Sequence, residues 1–124
     1  MVTGDGLHGR RVLVVEDEAL IAFEIEDTLE RLGCVVVGPL AALDDAVLAA
    51  RTEALDAAIL DVTVRGGLVF PVAEQLLTRK IPFAFASGYG DWALPESMQN
   101  MARLTKPFST EELEAQIRLL CGQD

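Results

Sequence analysis

The sequence is poor in basic residues and contains no long apolar run. Ten Lys and Arg residues face twenty Asp and Glu residues, which gives a formal net charge of −10. Nothing in this balance supplies the basic footprint that binds nucleic acid or an acidic membrane surface. The longest uncharged stretch, between Arg31 and Asp44, is shorter than the roughly 20 apolar residues of a membrane span. No signal peptide is evident, so we expect a cytoplasmic protein with no nucleic-acid or membrane partner.

Histidine and cysteine are nearly absent, which removes several kinds of site. His8 is the only histidine, so a zinc site or a histidine-based catalytic triad lacks its ligands. The two cysteines, Cys34 and Cys121, lie far apart in apolar surroundings. Without a secretory signal they are expected to be buried free thiols. Residues 1–10 are small, polar and glycine-rich, and we expect them to form a flexible tail.

What is present is a pattern of short apolar runs alternating with amphipathic segments. The 124 residues, 51% of them hydrophobic, can bury the core of one domain. Predicted strands cover Arg11 to Val15, Cys34 to Val37, Ala57 to Leu60, Pro82 to Ala86 and Arg103 to Thr105; predicted helices cover Ala19 to Leu32, Leu43 to Ala50, Pro71 to Arg79, Asp91 to Met101 and the segment after Ser109. Such alternation predicts an α/β fold with a doubly wound parallel sheet.

Glycine, proline and helix-capping residues mark the connections between these segments. Gly38-Pro39 is predicted to be the turn that closes the second strand, and Gly66-Gly67 to lie in a loop. Ser109-Thr110-Glu111-Glu112 has the form of a capping box at the start of the last helix.

Polar side chains stand where four of the predicted strands end. Glu16 and Asp17 follow the first strand, Asp61 ends the third, Ser87 the fourth and Lys106 the fifth. Sites in doubly wound sheets form outside the carboxyl ends of the strands. Each residue alone is compatible with an ordinary loop or cap position. The combination of complementary groups on four strand ends is what points to a site.

The chemistry of this set favours phosphoryl transfer with a divalent cation. Two carboxylates about 4 Å apart repel by about 4 kcal/mol at a surface-like dielectric, and Mg²⁺ relieves such repulsion while accepting phosphate oxygens. Asp61 beside the cation could attack phosphorus. Lys106 and Ser87 offer a charge and a hydroxyl to the oxygens of the transferred group.

The segments that carry these residues together resemble the response regulator receiver domain. They are Val12-Leu13-Val14-Val15-Glu16-Asp17-Glu18, Ala58-Ile59-Leu60-Asp61, Phe85-Ala86-Ser87-Gly88 and Thr105-Lys106-Pro107-Phe108. The resemblance implies a flavodoxin-like (βα)5 domain over residues 11–124, with a five-stranded parallel sheet of order 2-1-3-4-5. It also implies a Lys106-Pro107 bond that is often cis.

The resemblance assigns a role to each matching residue. Asp61 corresponds to the phosphoacceptor. Glu16 and Asp17, with the backbone carbonyl of Thr63, correspond to the residues that hold Mg²⁺. Ser87 corresponds to the hydroxyl residue that reorients on phosphorylation, and Lys106 to the invariant lysine.

One position departs from the usual receiver pattern. Three residues before the lysine, receivers carry an aromatic residue whose rotation reports phosphorylation, and here that residue is Arg103. The run from Phe85 to Gly90 resembles the FAT GUY subgroup, which lacks this aromatic and is associated with alphaproteobacterial kinases, including the HWE type. We therefore expect a non-standard switch in the 88–101 region, with Tyr89 and Trp92 as alternative aromatic reporters.

The function implied by the resemblance is that of a non-enzymatic signalling module. A sensor histidine kinase or a phosphotransfer protein would phosphorylate Asp61, and the acidic first helix would belong to its docking surface. The chain would act as a stand-alone monomeric regulator, as a phosphate sink or shuttle, or as a receiver from a longer hybrid kinase. Two alternatives stay open. One is a pseudo-receiver that binds partners without phosphorylation; the other is an aspartyl phosphatase, whose usual second acid is replaced by Thr63.

Overall fold

A computed structural model describes residues 6–88 and 94–122. Within these two ranges lie seven strands: β1 (Arg11–Val15), β2 (Val35–Leu40), β3 (Ala57–Asp61), β4 (Thr63–Val64), β5 (Gly67–Leu68), β6 (Phe83–Ser87) and β7 (Ala102–Thr105). Four α-helices accompany them: α1 (Ala19–Arg31), α2 (Leu43–Thr52), α3 (Phe70–Thr78) and α4 (Thr110–Leu120).

Five of the strands form one parallel sheet in the order β2-β1-β3-β6-β7. In terms of the five predicted strands this is the order 2-1-3-4-5, so the predicted flavodoxin-like fold is confirmed. The two short strands β4 and β5 form a separate antiparallel hairpin between β3 and α3. No helix within the described ranges is both long and apolar enough to cross a bilayer.

Alternating side chains of the sheet feed two separate cores. Val12 and Val14 of β1 pack with residues of α1 and α4, whereas Leu13 and Val15 pack with residues of α2 and α3. This alternation is the period of two expected of a strand, and here both faces are apolar because helices cover both sides of the sheet.

The composition of β6 reflects the two sides of the sheet. Its alanines, Ala84 and Ala86, face the core formed with α1 and α4. Phe83 and Phe85 face the other core, with their ring centroids 5.4 Å apart in an edge-on arrangement. Small residues on one face and aromatic rings on the other explain a strand that looks alanine-rich in sequence.

The second strand differs from its prediction, since Gly38-Pro39 is not a turn. β2 continues through these residues to Leu40, with a register shift against β1 between Leu13 and Val15. Among the strands that the structure describes, β2 pairs only with β1 and is thus an edge strand. Proline and glycine are tolerated in edge strands at bulges, which is why a sequence signal for a turn is here a signal for a bulge.

The predicted helix from Asp91 to Met101 is wrong in the part that the structure describes. Residues 94–101 hold only a short 3₁₀ helix, Glu96–Met98. Pro95 precedes it with a ψ of 151°, an extended conformation that ends any helix coming from the N-terminal side. Tyr89 and Trp92 lie outside the described residues.

The described part of the predicted N-terminal tail, residues 6–10, is packed against the domain. Leu7 is fully buried in the core formed with α1 and α4, and the Gly9 N–H donates to the Gly33 carbonyl at 2.8 Å. Residues 6–10 are therefore packed and not a flexible tail, because Leu7 anchors them in the core. The domain boundary at residue 11 stays a prediction. Both cysteines are free thiols, Cys34 buried and Cys121 half-buried.

Candidate functional site

The polar strand ends meet at the carboxyl edge of the sheet. Glu16 follows β1, Asp61 is the last residue of β3, Ser87 is the last residue of β6, and Lys106 follows β7. These four strands are neighbours in the sheet. The predicted clustering of the residues is therefore what the topology produces.

Three carboxylates form the acidic part of this cluster. Glu16, Asp17 and Asp61 each offer one oxygen, and these oxygens all lie within 4.8 Å of one another. Glu16 is 2% exposed and Asp61 8% exposed, while Asp17 is exposed. Two buried acids thus stand beside one that faces solvent, which leaves the cluster accessible from outside.

Lys106 completes the cluster as a cation shared between two of the acids. Its Nζ lies 3.0 Å from Glu16 Oε1 and 3.5 Å from Asp61 Oδ1. Its backbone N–H donates to the Ser87 carbonyl at 2.9 Å, and the Lys106-Pro107 bond is cis. The ends of β6 and β7 therefore fix the point from which the lysine side chain reaches across the site.

The electrostatics make Asp61 an unusual carboxylate. Burial, followed by the hydrogen bond and the charge of Glu16, raises the pKa of Asp61 to about 7, although Lys106 acts in the opposite direction. Burial by itself lowers the pKa of Lys106, but the carboxylates of Glu16 and Asp61 outweigh it and the pKa is raised. Asp61 therefore holds its proton more tightly than an exposed aspartate when no metal is bound.

The donor set fits a hard divalent cation. Three ionised carboxylates and one ammonium sum to a charge of −2, which one such cation neutralises. All the side-chain donors are oxygens, as Mg²⁺ requires. Glu16 Oε1 is buried and accepts no well-aligned hydrogen bond within the described residues, its contact with Lys106 being an ion pair at 3.0 Å. A buried oxygen in this state is the kind of group that a cation or its water would satisfy.

The other predicted site residues lie around the cluster of Glu16, Asp17, Asp61 and Lys106 or further from it. Thr63 is the first residue of the β4–β5 hairpin, two positions after Asp61. Ser87 is buried at the end of β6. Arg103 lies on β7 opposite Phe85, and its Nη1 donates to the Gln99 carbonyl at 3.0 Å. The side chain at this position is thus an arginine bonded to a backbone carbonyl, and not an aromatic ring.

Comparisons with known proteins agree on one family. SdrG from Sphingomonas melonis Fr1 is 37% identical and covers 92% of this chain and 97% of its own, with a TM-score of 0.78. The receiver domain of the sensor histidine kinase PA1611 from Pseudomonas aeruginosa, with magnesium in its active-site cleft, is 24% identical and covers 93% of this chain and 99% of its own, also with a TM-score of 0.78. The chain belongs to the response regulator receiver domains.

A curated relative extends beyond this receiver domain. The transcriptional regulatory protein PdtaR of Mycobacterium tuberculosis is 32% identical over 114 residues, which are 89% of this chain and 56% of PdtaR. The receiver domain thus spans about half the length of the curated relatives that it matches. No model of a known protein family matches the chain.

Two backbone contacts that sequence reasoning missed hold the acidic turn of the receiver domain. The Glu18 N–H donates to Glu16 Oε2 at 3.1 Å, and the Glu16 N–H donates to the Leu40 carbonyl at 2.9 Å. Any residue type has these backbone groups, so no sequence signal marks them. The first contact fixes the Glu16 carboxylate, and the second fixes its backbone.

Two grooves run from this site along α1. One, of about 280 Å³, is lined by Glu18, Ile21, Glu24, Lys106, Pro107 and Phe108. The next, of about 330 Å³, lies between α1 and the start of α4 and includes Phe23, Asp27 and Arg31. Leu20 and Phe23 of α1 are 68% and 63% exposed. Exposed apolar side chains thus lie along the first helix, with Glu18 and Glu24 nearest the site and an Asp27–Arg31 ion pair further along.

Proposed function

We propose that this receiver domain takes a phosphoryl group from a phosphohistidine onto Asp61, with Mg²⁺, and thereby changes which partners it binds. The donor is a sensor histidine kinase or a phosphotransfer protein. The observation that carries the proposal is the position of the buried Asp61 carboxylate. One of its oxygens lies within 4.8 Å of oxygens of Glu16 and Asp17, and the Lys106 ammonium is 3.5 Å from Asp61 Oδ1. A nucleophile, a cation-binding acid pair and a positively charged side chain beside them are the parts that such a transfer requires.

The residues divide the transfer among them. An Asp61 oxygen attacks phosphorus, forming an O–P bond while the N–P bond of the phosphohistidine breaks and the imidazole keeps the electron pair and takes up a proton. Lys106 moves from Glu16 and Asp61 toward the oxygens of the incoming group, and the Ser87 hydroxyl donates to another of them. Later attack by water on phosphorus returns Asp61 and releases phosphate, which limits the lifetime of the signal.

Glu16, Asp17, Asp61 and the backbone carbonyl of Thr63 are the ligands that we propose for Mg²⁺. When bound, the cation would neutralise charge on the carboxylates and on the transferring oxygens. The magnesium ion in the similar cleft of the PA1611 receiver domain supports this choice, as does the oxygen-only set of side chains here.

The response to phosphorylation is proposed to reside in the 88–101 region, where the sequence predicts a non-standard switch. Arg103 occupies the position of the usual aromatic reporter and bonds to Gln99 in this same region. Leu94 and Met98 anchor the described part of the segment in the core beside α2 and α3. Because one short 3₁₀ helix is the only helix between residues 94 and 101, this connection has little regular structure to lose when it rearranges.

The phosphodonor is proposed to dock on α1 beside the site. Leu20 and Phe23 supply exposed apolar area, and Glu18 and Glu24 line the groove beside the site; Asp27, in the next groove, is already paired with Arg31 at 3.2 Å. An apolar helix with basic flanks complements such a surface. Its position next to Lys106 would bring a donor histidine within reach of Asp61.

The test is calorimetric titration of the protein with beryllofluoride in the presence and absence of Mg²⁺, beside Asp61→Asn. SdrG forms a BeF₃-activated conformation, which makes this probe suitable. We expect saturable, Mg²⁺-dependent binding that the variant lacks. Absence of binding by a folded wild-type protein would contradict the proposal, and equal binding by Asp61→Asn would contradict the choice of acceptor.

The same protein distinguishes the phosphatase alternative. Incubation with Mg²⁺ and a generic phosphoester is expected to give no catalytic turnover, because Thr63 stands where such enzymes usually carry a second acid. Sustained release of phosphate that Asp61→Asn abolishes would favour the phosphatase.

A further inference from the structure

We propose that Gly38 is a positioning residue for the metal site, although it lies on the edge strand and supplies no ligand. It acts through residues 38–43, here called the strap, which connect the acidic turn at Glu16 to the β4–β5 hairpin. The inference rests on the proposed Mg²⁺ site and adds a requirement on the backbone that supports it.

The backbone at Gly38 admits no side chain. Its φ is +104°, a conformation that residues with a Cβ rarely adopt. A Cβ built there would lie 2.8 Å from the Leu40 nitrogen and 2.9 Å from the Val14 carbonyl oxygen. Both neighbours are backbone atoms, so neither can rotate away. A side chain at position 38 must therefore displace β2, through the Val14 carbonyl of β1 and through the Leu40 nitrogen of β2 itself.

The bulge at Gly38 determines what β2 presents to the acidic turn. The pairing of β1 with β2 shifts between Leu13 and Val15, so that Val15 is opposite Leu40. As a result the Leu40 carbonyl accepts the Glu16 N–H at 2.9 Å. Bulges near functional sites commonly re-aim groups in this way. Here the bulge anchors the first residue of the proposed metal-binding pair.

The other end of the strap holds the hairpin. The Arg65 N–H donates to the Ala41 carbonyl at 3.1 Å, and the Leu43 N–H donates to the Arg65 carbonyl at 2.8 Å. The hairpin begins at Thr63, which follows Asp61 by two residues. The strap therefore bonds to the acidic turn on one side of the site and to the segment carrying Thr63 on the other.

This arrangement makes the strap a spacer between two proposed sets of ligands. Glu16 and Asp17 belong to the turn after β1, whereas the Thr63 carbonyl belongs to the hairpin. Groups that orient metal ligands without touching the metal commonly affect affinity by about 10- to 100-fold. A displacement of β2 at Gly38 would move Leu40 and loosen the turn at Glu16.

The first experiment compares the Mg²⁺ dissociation constant of Gly38→Ala with that of Gly9→Ala. Gly9 is a matched control because its φ is also positive, at +80°, and a Cβ there meets nothing within 4 Å. Gly38→Ala is expected to bind Mg²⁺ about tenfold more weakly, and Gly9→Ala to bind like wild type. A folded Gly38→Ala protein with wild-type affinity would overturn the inference.

Amide hydrogen exchange supplies a readout that needs no metal. In the metal-free protein, Gly38→Ala is expected to speed exchange of the Glu16 amide, and Gly9→Ala to leave it unchanged. If wild type fails to bind Mg²⁺, the proposed metal site is wrong, and this exchange comparison still decides whether Gly38 holds the turn. Unchanged exchange at Glu16 in Gly38→Ala would overturn that role.

A measurement on wild type covers the case in which Gly38→Ala does not fold. Addition of Mg²⁺ is expected to slow exchange of the Glu16, Leu43 and Arg65 amides together, because all three bond across the strap. The Gly9 amide, which bonds to Gly33, serves as the internal control. Protection at Glu16 without protection at Leu43 and Arg65 would show that the strap does not couple the two sides.

Discussion

The chemistry of Asp61 and Lys106 depends on the charged groups that the fold places beside them. A carboxylate at the end of a buried strand is costly to ionise, and two further acids nearby increase that cost. Lys106 offsets part of it through contacts at 3.0 Å with Glu16 and 3.5 Å with Asp61. The metal-free site is thus an acidic cluster held by one ammonium group, and it has two measurable consequences.

The first consequence is a pH-dependent stability of the metal-free protein. The pKa of Asp61 is about 7 in the folded state, against 3.8 for an unperturbed aspartate side chain. The stability contributed by its proton is therefore complete below about pH 4 and lost as pH rises through about 7. In EDTA, the advantage of Asp61→Asn over wild type in the free energy of unfolding, measured with urea, is expected to grow by about 3 kcal/mol from pH 5 to pH 8. A constant difference between the two proteins across this range would contradict the assignment.

The second consequence concerns competition between Lys106 and the metal. Lys106→Ala removes a positive charge next to Glu16 and Asp61, so Mg²⁺ affinity is expected to rise, by about three- to tenfold at low salt. Calorimetric titration measures this directly. Lys80→Ala is the matched control, since Lys80 is the only other lysine and lies before β6, away from the carboxyl edge. Weaker Mg²⁺ binding by Lys106→Ala would contradict the account of a shared cation.

At the scale of elements, the sequence predicts features that depend on neighbouring residues, but not features that depend on pairing between strands. The Ser109 capping box at the start of α4 is confirmed, with the Glu112 N–H donating to Ser109 Oγ at 3.0 Å and the Ser109 N–H donating to Glu112 Oε1 at 2.8 Å. The sequence predicts a turn at Gly38-Pro39, where the structure has a bulge, because a bulge forms only against a partner strand that local sequence does not reveal. The β4–β5 hairpin was missed for a similar reason, since its two strands have only two residues each.

The capping box gives a stability prediction for α4. Ser109→Ala removes the side-chain acceptor of the Glu112 N–H and is expected to lower the free energy of unfolding by about 1 kcal/mol. Urea unfolding measures the change. Thr110→Ala, at the adjacent exposed position, is the control, because the Thr110 hydroxyl bonds only to exposed Glu111 at 3.3 Å and caps nothing. Equal effects of the two substitutions would contradict the role of the cap.

The exposed side of α1 gives a prediction about the phosphodonor. Phe23→Ala is expected to slow phosphorylation by a histidine kinase about tenfold, which corresponds to the loss of about 1.4 kcal/mol of docking contact. Phosphorylation by acetyl phosphate should be unchanged. Leu48→Ala is the control, since Leu48 is also exposed, at 53%, but lies on α2, across the sheet. Equal loss with both phosphodonors would point to a damaged site instead of a lost docking contact.

For the whole molecule, the sequence was sufficient to predict which residues meet. The strand runs and the residues that end them placed Glu16, Asp61, Ser87 and Lys106 at one edge, and the observed sheet order brings these strand ends together. The resemblance to receivers supplied the strand order, which periodicity alone does not contain. The sequence could not show that Lys106 bridges Glu16 and Asp61, or that the Leu40 carbonyl holds the acidic turn, because both depend on distances between segments far apart in the chain.

Intact-protein mass spectrometry after brief incubation with acetyl phosphate tests the central claim most directly. With Mg²⁺, wild type is expected to gain the mass of one phosphoryl group and to lose it again on standing, because an acyl phosphate hydrolyses. No gain in mass is expected for wild type without Mg²⁺, or for Asp61→Asn with Mg²⁺. A folded wild-type protein that gains no mass, or an Asp61→Asn protein that gains the same mass, would contradict the account of Asp61 as the phosphoacceptor of this receiver domain.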